Sequence, residues 1–273
     1  MTSLSGSASS PEAAAGTTTG MAVRPAGSVR VAEVSGVFWV LTTLVAGIGG
    51  VISDWLLLTL GPAALGIDLG ILAVIFILQL SVRRYIPTVF WSTMLGVGIV
   101  GTVGADIFSF LLGVPSWMIA IGYAIVIAAT FLLWNRSWRT VSVRSVTTRR
   151  QGTYYWLTVF FVFAFGTALV DMVAQDWRLG YLLTGILFAV LIILAAVARL
   201  RFGANPVLSF WIAFVITRPL GASFAFWFAL TPPDGLGGGY ILVGTVWVAL
   251  VVAMVVYAEI TRRRVHDEDS VRP

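Results

Sequence analysis

The chain has 273 residues, of which 59% are hydrophobic and 11% charged, against about 25% charged in a typical soluble domain. It contains no cysteine and a single histidine, His266, in the polar C-terminal stretch. Disulfides, thiolate metal sites, His-ligated metal and Ser-His-Asp chemistry inside the membrane are thereby excluded. The net charge of +5 comes from 17 basic residues, all arginine, scattered among loops rather than interleaved with aromatics as in a nucleic-acid stripe.

Residues 1–30 are rich in Ser, Thr, Gly and Ala without apolar periodicity, and are expected to form a disordered cytoplasmic tail. Eight apolar blocks follow, at about 37–60, 65–82, 88–112, 116–135, 154–174, 180–200, 206–230 and 238–260. Each is near the ~20 residues that cross ~30 Å of hydrocarbon as a helix. Residues 261–273 read as a C-terminal cytoplasmic tail. The fold class is an all-α polytopic membrane protein with a membrane domain over residues 31–260.

Arginines orient the spans. Arg24 and Arg30 precede the first, Arg83 and Arg84 separate the second and third, and Arg136, Arg139, Arg144, Arg149 and Arg150 fill the fourth gap. Arg199 and Arg201 follow the sixth span, and Arg262, Arg263 and Arg264 close the eighth. The remaining turns hold Arg178 as their one basic residue. The positive-inside rule then places both termini in the cytoplasm.

A fixed spacing recurs four times. The pairs Phe38-Trp39, Phe90-Trp91, Tyr155-Trp156 and Phe210-Trp211 are each followed, ten residues after the Trp, by Gly49, Gly101, Gly166 and Gly221. Fifteen residues after the Trp come Asp54, Asp106, Asp171 and, breaking the run, Phe226. Constant spacing through four copies implies one repeated unit. The units span about 37–82, 88–135, 154–200 and 206–260, each read as a helical hairpin, and all start on the same side, as parallel repeats do. The aromatic-Trp pairs are expected in an interfacial belt at the inner leaflet. Gly47, Gly98, Gly101 and Gly166 read as packing residues that let helices approach.

Equal spacing puts Asp54, Asp106 and Asp171 at one depth, roughly 22 Å from the inner interface at 1.5 Å per residue. A carboxylate at a helix centre costs about 2.5–3.5 kcal/mol on insertion scales, so the three should face the bundle interior or a wet cavity. Thr102 and Thr167 lie four residues before Asp106 and Asp171, on the same helix face, where repeats one and four have Gly50 and Ala222. The functional reading is a site for a hard metal cation or for protons. The competing reading is that the aspartates glue helices through hydrogen bonds.

Arg218, before Pro219, is the one arginine well inside a span. It is either a counter-ion for the aspartates or snorkels to the cytoplasmic interface, and its position seven residues past Trp211 tips the reading to snorkelling. Asp68 and the Asp176–Arg178 pair are expected to be solvated. Nothing in the motifs implies a cofactor or catalysis. Val103-Gly104-Ala105-Asp106 falls short of the glycine–x–glycine–aspartate element that an intramembrane aspartyl protease would need. The partners expected are the bilayer, a metal cation or a proton, and no nucleic acid; the oligomeric state is left open.

These stretches, together with Thr147-Thr148-Arg149-Arg150, Phe202-Gly203-Ala204-Asn205 and Thr217-Arg218-Pro219-Leu220-Gly221-Ala222-Ser223, resemble a bacterial family of uncharacterised membrane-anchored proteins defined by this repeat. The resemblance covers all but the two tails and implies no settled substrate. It also implies a lysine at Thr42, glutamates at Gly50 and Gly152 and an aspartate at Phe226, all absent here. The function expected is thus cation or proton transport through the aspartates, with a non-transporting scaffold or partner subunit as the alternative.

Overall fold

The computed structural model describes residues 31–61, 63–82 and 85–271. The expected N-terminal tail, with Arg24 and Arg30, and the Arg83-Arg84 turn lie outside them. Among the described residues there are helices and no strands: α1 (Gly36–Leu60), α2 (Ala63–Ser81), α3 (Pro87–Asp106), α4 (Ser116–Trp138), α5 (Arg149–Val170), α6 (Tyr181–Arg201), α7 (Pro206–Ala229) and α8 (Tyr240–Val271). Seven are long and apolar enough to cross a membrane, and α2 contributes a shorter apolar segment, Ala63–Gln79. The chain is that of a multi-pass membrane protein.

Local chemistry sets the boundaries. Ser35 caps α1, its hydroxyl accepting from the Phe38 amide at 3.3 Å, and Gly61 ends the helix with φ +56°. Proline occupies the first turn of α3 and α7, where its missing N–H costs nothing, and Asn205 caps α7. Helix α5 starts five residues earlier than expected because Thr148 and Gln151 form a reciprocal capping box. Helix α8 likewise runs on to Val271, through what was expected to be a tail.

The odd-numbered helices build the core. Helix α1 packs on α3, α3 on α5, α5 on α7, and α7 back on α1. Two levels of contact repeat around this circle. At the first, the residue before each repeat Trp meets the Trp of the next repeat: Phe38 with Trp91 (5.8 Å between ring centroids), Phe90 with Trp156 (5.3 Å), Tyr155 with Trp211 (6.3 Å) and Phe210 with Trp39 (5.6 Å). At the second, the repeat glycine abuts the next helix at the residue seven past its Trp. A Cβ on Gly49 would lie 3.0 Å from the Gly98 carbonyl carbon, and one on Gly101 3.0 Å from Phe163 Cβ. One on Gly166 would strike Arg218, and one on Gly221 would stand 3.1 Å from Ala46 Cβ and strike the Thr43 carbonyl. Close helix approach through small residues is the general solution where lipid offers no hydrophobic drive to associate. Because both levels occur in the same order on all four helices, those helices run in one direction around a pseudo-four-fold axis.

The aromatic-Trp pairs, expected in an interfacial belt, pack on one another: Phe38, Phe90, Tyr155 and Trp156 are buried, with Trp91, Phe210 and Trp211, in a closed inner ring. The two helices of a repeat do not pack chiefly on each other. Helix α2 lies chiefly on α3, α4 on α5, α6 on α7 and α8 on α1, so the returning helix leans on the following repeat. The basic loop between α4 and α5 is also anchored: Val143 and Val146 are buried, and the Trp211 indole N–H donates to the Val141 carbonyl at 2.9 Å. Its arginines, Arg136, Arg139, Arg144, Arg149 and Arg150, stay exposed.

Candidate functional site

Arg218 occupies the same place in its repeat as Ala46, Gly98 and Phe163 do in theirs, and it sends its side chain to the bundle axis. It is 1% exposed, which overturns the snorkelling reading. Gly166 makes this feasible, since any larger residue would collide with Arg218 and stand 3.3 Å from Pro219 Cδ. The guanidinium donates to the Ala46 carbonyl of α1, to Thr102 Oγ1 of α3 and to Thr167 Oγ1 of α5, the last at 3.0 Å. It also sits 5.4 Å from the centre of the Phe163 ring. One side chain from α7 thus ties the other three core helices together, and Nε remains without a partner. Snorkelling was misjudged because linear position gives no angular information: the slot points inward in all four repeats.

Thr102 and Thr167, predicted from spacing, meet each other across α3 and α5 at 3.5 Å and each donates back to its own helix, Thr102 to the Gly98 carbonyl at 3.0 Å and Thr167 to the Phe163 carbonyl at 3.3 Å. Such back-bonding leaves the hydroxyl oxygen free to accept from Arg218. The equivalent positions in the other two repeats, Gly50 and Ala222, are buried and apolar. A Cβ on Gly50 would lie 3.2 Å from the Phe226 ring and 3.7 Å from the guanidinium. Phe226 of repeat four therefore fills the space that the missing side chain of repeat one leaves.

One turn further along, Asp54, Asp106 and Asp171 are brought within electrostatic reach of Arg218, and Asp106 within reach of the other two carboxylates. Asp106 is 5% exposed and its Oδ2 has no hydrogen-bond partner; Asp54 and Asp171 are half-buried. Asp171 Oδ1 accepts from Gln175 Nε2 at 2.9 Å, and the same amide reaches the Tyr181 hydroxyl at 3.0 Å. Tyr181 in turn lies 5.4 Å from the Phe226 ring. Gln175 and Tyr181 had no signal in the repeat pattern, because they belong to the turn after α5 and the start of α6.

The backbone changes at this level. Immediately after Asp106, residues Ile107–Leu111 wind as a π-helix, and a second π-helix, Asp171–Asp176, starts at Asp171 itself. Neither α1 nor α7 widens in this way at Asp54 or Phe226. Single-turn π segments cost regular hydrogen bonding and recur at functional sites. Both lie in the repeats that pair Thr with Asp.

Other residues fall outside this arrangement. Asp176 and Arg178 are exposed as expected, whereas Asp68, expected to be solvated, is buried. Among the described residues no group of three or more His, Cys, Asp or Glu side chains converges closely enough to hold one metal ion.

Residues 154–205 match the family model described as Repeat of Unknown Function (DUF347). Over these residues the chain is similar to that repeat family. The matched stretch is the third copy, from Tyr154 through Asp171 and α6, which is one of the two copies that keep both Thr and Asp. No curated protein and no solved structure matches the chain.

Proposed function

We propose that this protein moves a small cation, or couples to protons, across the bacterial inner membrane, with both termini cytoplasmic and with Asp106 and Asp171 as the groups that take and release the charge. One observation carries the reading: three carboxylates from equivalent repeat positions lie within electrostatic reach of a single buried guanidinium. With all four ionised, three negative charges face one positive charge, an excess that favours cations. Arg218 limits the cost of holding the carboxylates in low dielectric, since an unpaired buried charge is far costlier than a compensated one. Thr102 and Thr167 fix the guanidinium by hydrogen bonds, so it stays below the carboxylates rather than collapsing onto one of them. The spread of the carboxylates favours protons or a cation that keeps part of its water over a bare metal held by three ligands.

The test is flux through the purified protein in liposomes, read with a pH-sensitive dye and with metal-sensitive dyes, alongside whole-cell elemental content in a deletion strain. Asp106→Asn and Asp171→Asn should each abolish the flux that wild type supports, with folded protein at wild-type yield. Unchanged flux in Asp106→Asn would sink the proposal.

A second reading is a non-transporting scaffold or partner subunit. It draws on the same clasp, because a guanidinium bonded to three other helices is what structural glue requires. On that reading, Asn at Asp106 and Asp171 lowers thermal stability slightly and no ion moves in either variant or wild type.

A further inference from the structure

Between the aromatic ring of the Trp pairs and the Arg218 guanidinium, a stack of phenyl rings fills the bundle. Phe214, three residues past the repeat Trp of α7, is 1% exposed. Its ring lies 6.4 Å from Phe38 of α1 and 6.4 Å from Phe163 of α5, and stacks on Phe210 at 5.7 Å. Helices α1 and α5 are diagonal partners in the circle, so a side chain of α7 that meets both lies across the bundle interior. Phe163 continues the stack to the guanidinium, and it also crowds α3, where a Cβ on Gly98 would stand 3.0 Å from its ring. The equivalents of Phe214 in the other repeats, Thr42, Met94 and Val159, are buried too, and the Thr42 hydroxyl donates to the Phe38 carbonyl at 2.8 Å. The far side of Arg218 differs. There Asp171 is half-buried and bonded to the exposed Gln175. Repeat four alone has Phe three residues, Arg seven residues and Pro eight residues past its Trp; the other repeats have Gly47, Ile99 and Ala164 where it has Pro219. Pro219 has no N–H for the Val215 carbonyl, so α7 bends most easily at that turn.

We propose that the segment of α7 from Pro206 to Arg218 is the gate of the transport path, with Phe214 as its plug and Pro219 as its hinge. This gate deepens the transport reading and rests on it. A cation leaving the carboxylates towards the Trp pairs meets first the like charge of Arg218 and then the rings of Phe163, Phe214 and Phe38. Such a charged and dehydrated barrier stops ions as constrictions in channels do. The site is therefore reached from the carboxylate end and shut at the other, which is the behaviour of a carrier and not of an open pore. Arg218 and Phe214 both precede the hinge, so they move together. The swing that withdraws the plug also takes the guanidinium off the Ala46 carbonyl, Thr102 and Thr167. The carboxylates then lose their compensating charge, and a bound cation or proton has to replace it. Opening is thereby tied to an occupied site.

The full chain has no cysteine, so a single thiol reports on the plug. Thr42→Cys puts a side chain of similar size at the Phe214 level, and a membrane-impermeant methanethiosulfonate ammonium reagent is applied to either face of sealed, oriented vesicles. Without a cation gradient the thiol should stay unmodified from both faces. Adding Phe214→Ala should speed its modification about ten-fold or more from the face of the Trp pairs, since a buried group reacts only as its surroundings open. Should that chain not fold, Phe214→Leu serves, with a gain of about three-fold. Pro219→Ala restores the helical bond and should slow flux of protons, Mg²⁺ or Mn²⁺ in liposomes about ten-fold, because gate opening limits turnover. The half-saturating concentration should stay within about two-fold of wild type, a split that general destabilisation of the site does not give. A thiol at position 42 that reacts equally fast with and without Phe214, or wild-type flux in Pro219→Ala, overturns the gate. If Asp106→Asn still abolishes flux in that case, the transport reading stands without this gate. If wild type moves none of the three ions, the Phe214 stack is a fixed wall and both fall.

Discussion

Repeats two and three keep a threonine and an aspartate one turn apart and then relax into π-helix; repeats one and four offer Gly50 with Asp54 and Ala222 with Phe226, on unbroken α-helix. The four copies share their packing: the aromatic ring and the glycine contacts recur around the whole circle. The scaffold is thus four-fold and the chemistry two-fold. Packing demands bind every copy alike because each helix must meet its neighbour at the same height. Polar groups are under no such constraint: repeat one keeps Asp54 but has Gly50 in place of a threonine, and Phe226 of repeat four lies against that glycine. Arg218 crosses the divide, reaching from repeat four to both threonines.

That division can be broken at Arg218. Arg218→Met should lower stability by about 3 kcal/mol or more, because it frees Thr102 and Thr167 and strips the carboxylates of their compensating charge. Thermal unfolding in detergent measures it, and a midpoint within a degree or two of wild type would mean that the clasp is ornamental. The polar half is sharpened by Thr102→Val, which removes one acceptor from a fully buried donor and should cost about 1–2 kcal/mol. Thr59→Val, whose hydroxyl only back-bonds to the Trp55 carbonyl at an exposed site, should change stability by less than about 0.5 kcal/mol. The apolar half answers to Gly50→Ala. There the added methyl lies 3.2 Å from the Phe226 ring, and the ring must give by a few tenths of an ångström, for a cost of about 1 kcal/mol or less. The smaller substitution Phe226→Leu in the same chain should recover that loss, measured by the same unfolding midpoints.

Much of this was legible in the chain. Long apolar blocks gave eight helices to within a few residues, since hydrocarbon thickness leaves little freedom in length. The larger departures lay at α5, where Thr148 and Gln151 begin the helix early, and at α8, which continues past the apolar block. The repeat spacing singled out Asp54, Asp106 and Asp171, and Thr102 and Thr167 one turn before, because equal distance from an equivalent residue on parallel helices means equal height. What spacing lacks is the angle around the helix relative to a neighbour. For that reason the Trp pairs were read only as an interfacial belt, without their contacts to each other, and Arg218 was sent to the surface. Knowing which helix neighbours which would have corrected both. Gln175 and Tyr181 lie within the third unit but away from its recurring positions, so they carried no periodic signal and emerged only from the three-dimensional arrangement.

The way each returning helix leans on the following repeat has a consequence for how the protein is made. Helix α1 takes its partners from α3, α7 and α8, so two of its three principal neighbours leave the ribosome only after α2 to α6. Until then one flank of α1, including Gly47 and its approach to Gly221, has no protein to meet. The circle cannot close progressively as the chain emerges. It waits, with α1 held open in the lipid, for a late docking event that joins α1 to α7 and α8. A chain severed in the loop between α4 and α5 and expressed as two halves would meet the same requirement, with both seams closing at once.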